Sequence, residues 1–400
     1  MTRNTDVLVI GAGPAGVGAA LAAAGEGTRV IIVDENVAVG GHLRWSIATQ
    51  RGTIGDLTDA RGTAIAAWAV ERLRHSDVEI ELGAAAWGLF DDRVVGVTSR
   101  ERSFQIRAGS VIVAAGATDA AIPFPGWDLP GVLTSGALLR LMHLHRVLPG
   151  RRFVVVGADP CGDEAVEALE LAGADVVTRW RTCHDIIAGG DGEVVWLDVP
   201  GARHDTDCIV IAASRIPDPE LILQMGGAAV YSAIDDCFVP VRSETLETSI
   251  SGVYAAGDCA GVLGAAEAFA EGRVAGLAAS NGAGLERALG ELAELRASPP
   301  PHEARRPTLP APRDSTLVCR CERIAAAEIR QSIADGAATI DDVKRRTRSG
   351  MGVCQGIYCL AAVSMLLQRE RGLAPEVVSP MKVRPPARTV PLAALAGTGE

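Results

Sequence analysis

At 400 residues, 48% hydrophobic and 22% charged, the sequence has the make-up of a folded chain of two or three domains, which excludes a disordered one. Its net charge of −11 argues against a nucleic-acid partner, which calls for a basic face. Nine cysteines, an odd count with Cys161, Cys183, Cys208, Cys237 and Cys259 scattered, do not form the pattern of a secreted disulfide framework, so a reducing cytoplasm is the expected setting. No apolar run reaches the ~18 residues of a membrane span, and the N-terminus enters Asp6-Val7-Leu8-Val9-Ile10 without the pattern of a signal peptide.

Val7-Leu8-Val9-Ile10 reads as a buried parallel strand. It runs into Gly11-Ala12-Gly13-Pro14-Ala15-Gly16, an alanine-rich helix, and a second strand ending at Asp34. This is a dinucleotide-binding unit in strand–turn–helix–strand order. Gly11 permits the tight turn, Gly13 lets backbone approach a pyrophosphate, and Gly16 allows helix and strand to pack closely. Asp34 is the expected reader of the ribose hydroxyls, with Glu35 as its neighbouring candidate.

The glycine pattern alone does not separate FAD from NAD. Gly40-Gly41 follows the acidic pair, Val111-Ile112-Val113-Ala114-Ala115-Gly116 forms a further strand and turn, and Val253-Tyr254-Ala255-Ala256-Gly257-Asp258 places an aspartate after a late strand. With these three motifs in order, residues 5 to 280 resemble the two-dinucleotide-domain flavoproteins related to glutathione reductase and thioredoxin reductase. The resemblance implies FAD as cofactor, Asp258 at its ribityl–phosphate part, and a helix beginning at Ala265-Ala266-Glu267 aimed at the isoalloxazine. It also implies that Ala115-Gly116 leads out of the first FAD segment.

Arg151 to Gly157 opens a second strand–helix–strand unit, ending near Arg179, where that family binds NAD(P)H. Its loop reads Gly157-Ala158-Asp159-Pro160-Cys161-Gly162. Asp159 adds a Cβ and a negative charge where a glycine should meet a pyrophosphate, and like charges repel. The unit is therefore expected to keep the fold without binding NAD(P), although Arg179 and Arg181 stand where a 2′-phosphate reader would. After Gly41 the chain reads His42-Leu43-Arg44-Trp45, without the paired cysteine of the disulfide reductases. His42 and Trp45 could approach a flavin or simply pack a loop. The residues identify no catalytic base.

An alanine-rich helix to about Ala279 and a polar helical stretch lead to Ser298-Pro299-Pro300-Pro301 and a proline-spaced run to Pro312, an extended linker. Beyond it come Cys319-Arg320-Cys321 and Gly350-Met351-Gly352-Val353-Cys354-Gln355-Gly356-Ile357-Tyr358-Cys359, which hold four of the nine cysteines. Four thiolates there suit a 2Fe-2S cluster or a four-thiolate zinc site. Three helices are expected around them. One carries Ala326, Ile329 and Ile333, one is capped by Thr339 and ends in Lys344-Arg345-Arg346, and one carries Leu360, Val363 and Leu367. Cys354 is expected at a helix N-terminus, where amides favour a thiolate. Lys344 to Arg346 and Arg348 read either as the charged end of an exposed helix or as a docking patch for an acidic partner.

Cys319-Arg320-Cys321-Glu322, Glu328-Ile329-Arg330, Val343-Lys344, Thr347-Arg348, Gly350-Met351-Gly352 and Cys354-Gln355-Gly356 resemble the 2Fe-2S module named after bacterioferritin-associated ferredoxin. Ile357 departs from the arginine often found there. The resemblance implies Cys319, Cys321, Cys354 and Cys359 as cluster ligands.

With the tail Val383 to Leu392, the whole order resembles one group: the FAD-containing A or alpha subunits of hydrogen cyanide synthase, opine oxidase/dehydrogenase and D-hydroxyproline dehydrogenase, with sarcosine oxidase alpha a larger relative. The expected architecture is α/β: a two-dinucleotide-binding-domain flavoprotein, glutathione/thioredoxin reductase-like, plus a small all-α 2Fe-2S module. The expected divisions are an FAD domain over 1–118 and 245–285, an inserted NAD(P)-binding-like domain over 119–244, a linker over 286–314, the cluster module over 315–372 and an extended tail over 373–400. The resemblance implies an electron-relay subunit of a hetero-oligomeric dehydrogenase. A second FAD-containing partner oxidises a secondary amino acid, opine or glycine-like substrate, and a small ferredoxin-like subunit is a further candidate partner. An NAD(P)H-dependent FAD/iron-sulfur reductase is the alternative enzyme, and a non-catalytic scaffold with structural zinc the alternative of another class.

Overall fold

A computed structural model describes residues 2–100, 102–297 and 310–396 of the chain. The start of the proline-spaced run, Ser298 to 309, lies outside these. The chain divides into two compact units. One is built from Met1–Ala117, Ile216–His302 and Lys382–Glu400, the other from Thr118–Arg215 and Glu303–Met381.

The first unit is organised on a parallel core of strands Glu79–Leu82, Val30–Asp34, Thr2–Ile10 and Ser103–Val113, with Val253–Ala255 added beside the last. Val7 pairs with Val30 and Ser110, and Val111 with Val253. Val7, Leu8, Val9 and Ile10 are all buried, as expected of a parallel strand covered on both faces. Val94–Thr98 and Ala85–Phe90 extend the sheet antiparallel.

Helix Pro14–Gly25 packs on helix Ala265–Ser280 at backbone distance. A Cβ on Gly272 or Gly276 would strike the carbonyl oxygens of Ala15 or Ala19, and one on Gly18 that of Phe269. Glycine is therefore required at this crossing for space, not for turn geometry. Gly272→Val should force the helices apart and cost about 3 kcal/mol, the upper range for overpacking a core. Denaturant unfolding checks this, and a midpoint equal to wild type would refute the close crossing.

Three stretches differ from the expected divisions. Residues 220–224, expected in the inserted domain, form a short helix whose Leu221 and Ile222 join the sheet core of the first unit with Leu89 and Val95. Leu285–Ala297 is a helix seated on the core through Ala288 and Leu292, so the linker does not begin at 286. Residues 382–396 fold back onto the first unit: Ala387 is buried and donates its N–H to the Trp87 carbonyl at 2.7 Å.

The second unit carries a four-stranded parallel sheet in the order Val132–Thr134, Cys208–Ile211, Arg152–Val156, Asp175–Trp180. Helices Ser135–His145 and Pro160–Leu171 belong to it. The same unit holds the helical module, with helices Ala326–Ala334, Ile340–Thr347 and Leu360–Arg371 around Ile329, Ile333, Val343, Val363, Leu366 and Leu367. Trp127 ties the two parts together: its indole N–H donates to the Leu317 carbonyl at 2.6 Å and its ring lies 5.0 Å under the Arg320 guanidinium. No helix among the described residues is long and apolar enough to cross a membrane.

Candidate cofactor sites

In the first unit the glycine-bearing segments meet at one edge of the sheet, beyond the carboxyl ends of its parallel strands, where open α/β sheets bind ligands. Gly11 adopts φ 106°, and its N–H donates to the Val33 carbonyl at 2.8 Å. A Cβ there would strike Ala114 O, and one on Gly16 would strike Gly11 O. Both glycines are fixed by internal crowding. Gly13 differs: the nearest atom to its would-be Cβ is the Gly41 Cα at 3.9 Å, so nothing in the described chain accounts for it. It caps helix Pro14–Gly25 without a side-chain hydrogen bond, leaving first-turn amides such as those of Ala15 and Gly16 without a side-chain cap. This open, amide-lined cradle fits a dinucleotide phosphate.

Gly40 donates to the Ala12 carbonyl at 2.8 Å, which brings the Gly40-Gly41 turn against the loop. Gly257 rests on it from the other side, its would-be Cβ 2.7 Å from that of Ala15. Gly116, at φ 80°, also has open space where a Cβ would sit. Asp258 is buried, with Oδ1 accepting the Leu263 N–H at 3.0 Å, and Ala265 begins the long helix with an uncapped Gly264 before it.

Asp34, placed at the strand end as its position suggested, is hydrogen-bonded within the chain. Its Oδ2 accepts the Ala12 N–H at 2.6 Å, and its Oδ1 accepts the Asn36 N–H at 2.7 Å and the Asn36 amide at 2.9 Å. The carboxylate is buried and spent on holding the loop to the strand end. Glu35, next to it, is exposed and lies in the field of Arg388, which is itself ion-paired with Asp218 and Glu220.

Sequence reasoning also missed Glu271. Its side chain is fully buried, ion-paired with Arg242 at 2.8 Å and with Arg296, and its Oε2 accepts the Gly257 N–H at 2.7 Å. Two glutamates four apart on one face of an alanine-rich helix, Glu267 and Glu271, were the available signal, since buried charges need partners.

In the second unit Gly157 makes the expected tight turn at φ 121°, donating to the Trp180 carbonyl at 2.7 Å. Asp159 then caps the following helix, its Oδ1 accepting the Cys161 N–H at 2.8 Å. An amide that a phosphate would use at this helix N-terminus is thus held by the chain's own carboxylate. Arg179 pairs with Asp163 and donates to the Asp159 carbonyl at 3.4 Å. None of the nine cysteines forms a disulfide, and burial, reinforced by Asp159, pushes the Cys161 thiol well up, away from thiolate chemistry.

The four cysteines of the helical module form two pairs. Cys319 and Cys359 perturb each other's thiols, Cys321 acts on that of Cys354, and Cys354 also acts on Cys359. Among the described residues no three such ligands converge as they would on a single ion. Four thiols so gathered fit the four-thiolate ligand set of a 2Fe-2S cluster.

The Cys359 contact and the amides of Gly350, Glu322 and Cys321 draw the Cys319 thiol down to about 5, which favours a ligand thiolate. Its partner Cys359 is pushed up by sharing that proton and by burial. Burial raises Cys354, opposed by the amides of Tyr358 and Gly356. Gly352 is required because a Cβ would strike that of Cys321.

Cys354 is not at a helix N-terminus. Gln355 and Gly356 take left-handed φ of 52° and 97°, so the helix starts at Leu360 with Cys359 as its N-cap. The basic run is engaged locally: Arg345 pairs with Asp342 at 2.6 Å and Arg348 with Glu322 at 2.9 Å, while Arg346 donates to the Asp335 carbonyl at 2.8 Å. That favours the exposed helix-end reading over a docking patch.

Residues 5–183 match the pyridine nucleotide-disulphide oxidoreductase family, 221–286 the glucose inhibited division protein A family, and 317–369 the BFD-like [2Fe-2S] binding domain. The chain is 29% identical to the A subunit of opine oxidase from Rhizobium meliloti (strain 1021), covering 98% of each. It is 25% identical to the HcnB subunit of hydrogen cyanide synthase from Pseudomonas aeruginosa over 92% of this chain and 94% of that one. The alpha subunit of sarcosine oxidase from R. meliloti is 28% identical over 98% of this chain but only 42% of its own length.

Among solved structures, L-proline dehydrogenase from P. horikoshii superposes with a TM-score of 0.85 at 25% identity, covering 99% of this chain and 80% of that one. Thioredoxin reductase of T. acidophilum shares the fold, with a TM-score of 0.54 at 20% identity over 70% of this chain and 98% of that one.

Proposed function

We propose that this chain, an FAD-dependent oxidoreductase with a 2Fe-2S domain and a homologue of the opine oxidase A, sarcosine oxidase alpha and HcnB subunits, is the electron-relay subunit of a hetero-oligomeric dehydrogenase. In this reading a second FAD-containing subunit oxidises a secondary amino acid, opine or glycine-like substrate. A small ferredoxin-like subunit is a further partner, and the complex works in the cytoplasm.

The observation that carries the reading is Asp159. A carboxylate capping the second dinucleotide loop closes the usual entry of NAD(P)H, so electrons must arrive from elsewhere.

The residues assigned to FAD are Gly11, Gly13, Pro14, Ala15, Gly16, Gly40 and Gly41 around the pyrophosphate, and Glu35 at the ribose with Asp34 holding the loop. Ala115, Gly116, Gly257, Asp258 and Ala265 take the flavin end. Cys319, Cys321, Cys354 and Cys359 are assigned to the cluster. When bound, FAD supplies electron exchange in pairs or singly and the cluster supplies one-electron exchange. The chain's contribution is to orient both groups and set their potentials.

Isolation from the native host tests the role. A second flavoprotein subunit should co-purify, and substrate should bleach the flavin of this chain only in its presence. Bleaching of the isolated chain by substrate would sink the relay. NADH and NADPH should leave the flavin oxidised under anaerobic mixing; prompt bleaching by either would restore the reductase alternative and overturn the reading of Asp159.

A further inference from the structure

Two side chains grip the turn that leads to Asp258, one by a peptide N–H and one by a peptide carbonyl. Gly257 takes φ 77° and ψ −158°, and its N–H donates to Glu271 Oε2 at 2.7 Å. Two residues earlier, the Ala255 carbonyl accepts from the Arg242 guanidinium at 3.0 Å. The same guanidinium nitrogen pairs with the same Glu271 oxygen at 2.8 Å, so a single ion pair closes on both peptide groups. The Glu271 side chain is fully buried and that of Arg242 is 16% exposed. Arg296 pairs with the other Glu271 oxygen and reaches Glu267 at 3.2 Å, which balances two carboxylates with two guanidiniums. Stability alone gives little reason for this arrangement, because an apolar pair of similar volume often fills such a space as well or better. What the charges add is a hold on one particular turn.

We propose that the Arg242–Glu271 pair is a clamp that keeps the Gly257–Asp258 turn in its flavin-binding conformation. Both are positioning residues, acting on FAD through Asp258. A glycine does not hold a positive φ by itself, since it visits many others as readily. Gly257 also has no space to move toward the first glycine loop, where its would-be Cβ lies 2.7 Å from that of Ala15. Asp258 Oδ1, accepting the Leu263 N–H at 3.0 Å, secures the far end of the turn, and the clamp secures the near end. The inference rests on the assignment of Asp258 to FAD.

The test is titration of the flavin-stripped full chain with FAD, beside denaturant unfolding of the same flavin-free chain. Arg242→Met/Glu271→Met removes the clamp without leaving a buried charge behind. It should unfold near the wild-type midpoint yet bind FAD roughly tenfold or more weakly, the worth of one hydrogen bond to a charged group. The visible circular dichroism of its bound flavin, which reports how the ring is held, should change. Wild-type affinity in the folded variant overturns the inference, as does weaker binding with an unchanged flavin signal. If the flavin-free double variant does not fold, Glu271→Gln, close in volume, decides. A neutral acceptor is about half as strong, so binding weakened about threefold or more with an altered flavin signal supports the clamp. Wild-type binding by Glu271→Gln, or its failure to fold as well, overturns it. Asp258→Ala separates the two readings. Wild-type FAD affinity in Asp258→Ala overturns the assignment of Asp258 and this inference with it, whereas a weakened Asp258→Ala beside clamp variants that bind normally overturns the inference alone.

Discussion

Cys319→Ser should yield a chain that retains FAD but carries no iron, with the visible absorption of an iron–sulfur centre gone and the flavin bands intact. Cys319 is the thiol most strongly drawn toward its thiolate, receiving the Cys359 contact and three amides. A serine hydroxyl there would present a poor ligand to donors built around sulfur. Metal–thiolate sites contribute binding free energies on the order of 10 kcal/mol, comparable to the whole stability of a domain, because binding and folding are linked. Loss of the cluster should therefore also loosen the loops at 319–323 and 350–359, read as new protease cleavage there. Helices Ala326–Ala334, Ile340–Thr347 and Leu360–Arg371 share an apolar core of their own and should outlast the loops. Iron and sulfide analysis beside FAD content is the deciding measurement. Full iron in Cys319→Ser would remove this residue from the ligand set.

Gly13→Asp should abolish FAD retention without unfolding the protein. The would-be Cβ of Gly13 meets nothing closer than 3.9 Å, so the fold has room for a side chain. The cofactor does not. A carboxylate about 4 Å from a phosphate repels it by about 4 kcal/mol at an effective dielectric near 20, roughly a thousandfold in affinity. The substitution recreates in the first loop what Asp159 does in the second. Gly16→Asp is the contrast, since any Cβ there strikes the Gly11 carbonyl and the fold itself should fail. Circular dichroism with FAD titration separates the two; a Gly13→Asp variant purified with full flavin would place the pyrophosphate elsewhere.

Much of this was legible in the chain because glycine reports backbone demands that no other residue meets. Gly11, Gly16 and Gly157 sit where the sequence suggested and for the expected reasons of turn and packing. The Asp159 charge could be read as an obstruction from its position alone, and the structure adds that its carboxylate is a helix cap.

The loop bonds of Asp34 were not legible because strand-end position does not say whether a carboxylate faces ligand or loop. Two amides and the Asn36 side chain decided it. Cys354 was misplaced because a cysteine before a helical pattern looks like a helix start, while the left-handed Gln355 and Gly356 postpone that start to Leu360. Glu271 signalled a need for partners but not which ones, since Arg242 and Arg296 lie 29 and 25 residues away.

The first unit is assembled from three separated stretches, and the last of them brings Ala387 into its sheet core and Arg388 into the field of Glu35. Val253–Ala255, a strand of the same sheet, also comes late. A nascent chain therefore cannot finish the flavin-binding sheet when its glycine loop leaves the ribosome; it must first reach Val253–Ala255, and it must make the entire segment that bears the four cluster cysteines before Ala387 can seat on that sheet. The second unit lies wholly between those stretches and is free to fold earlier, whereas closing the first requires long-range pairing, which is slow. Biogenesis should accordingly run in a fixed order, with flavin retained only after the last twenty or so residues have been synthesised. Chains released short of Ala387 would carry the cysteine module yet emerge colourless at the flavin.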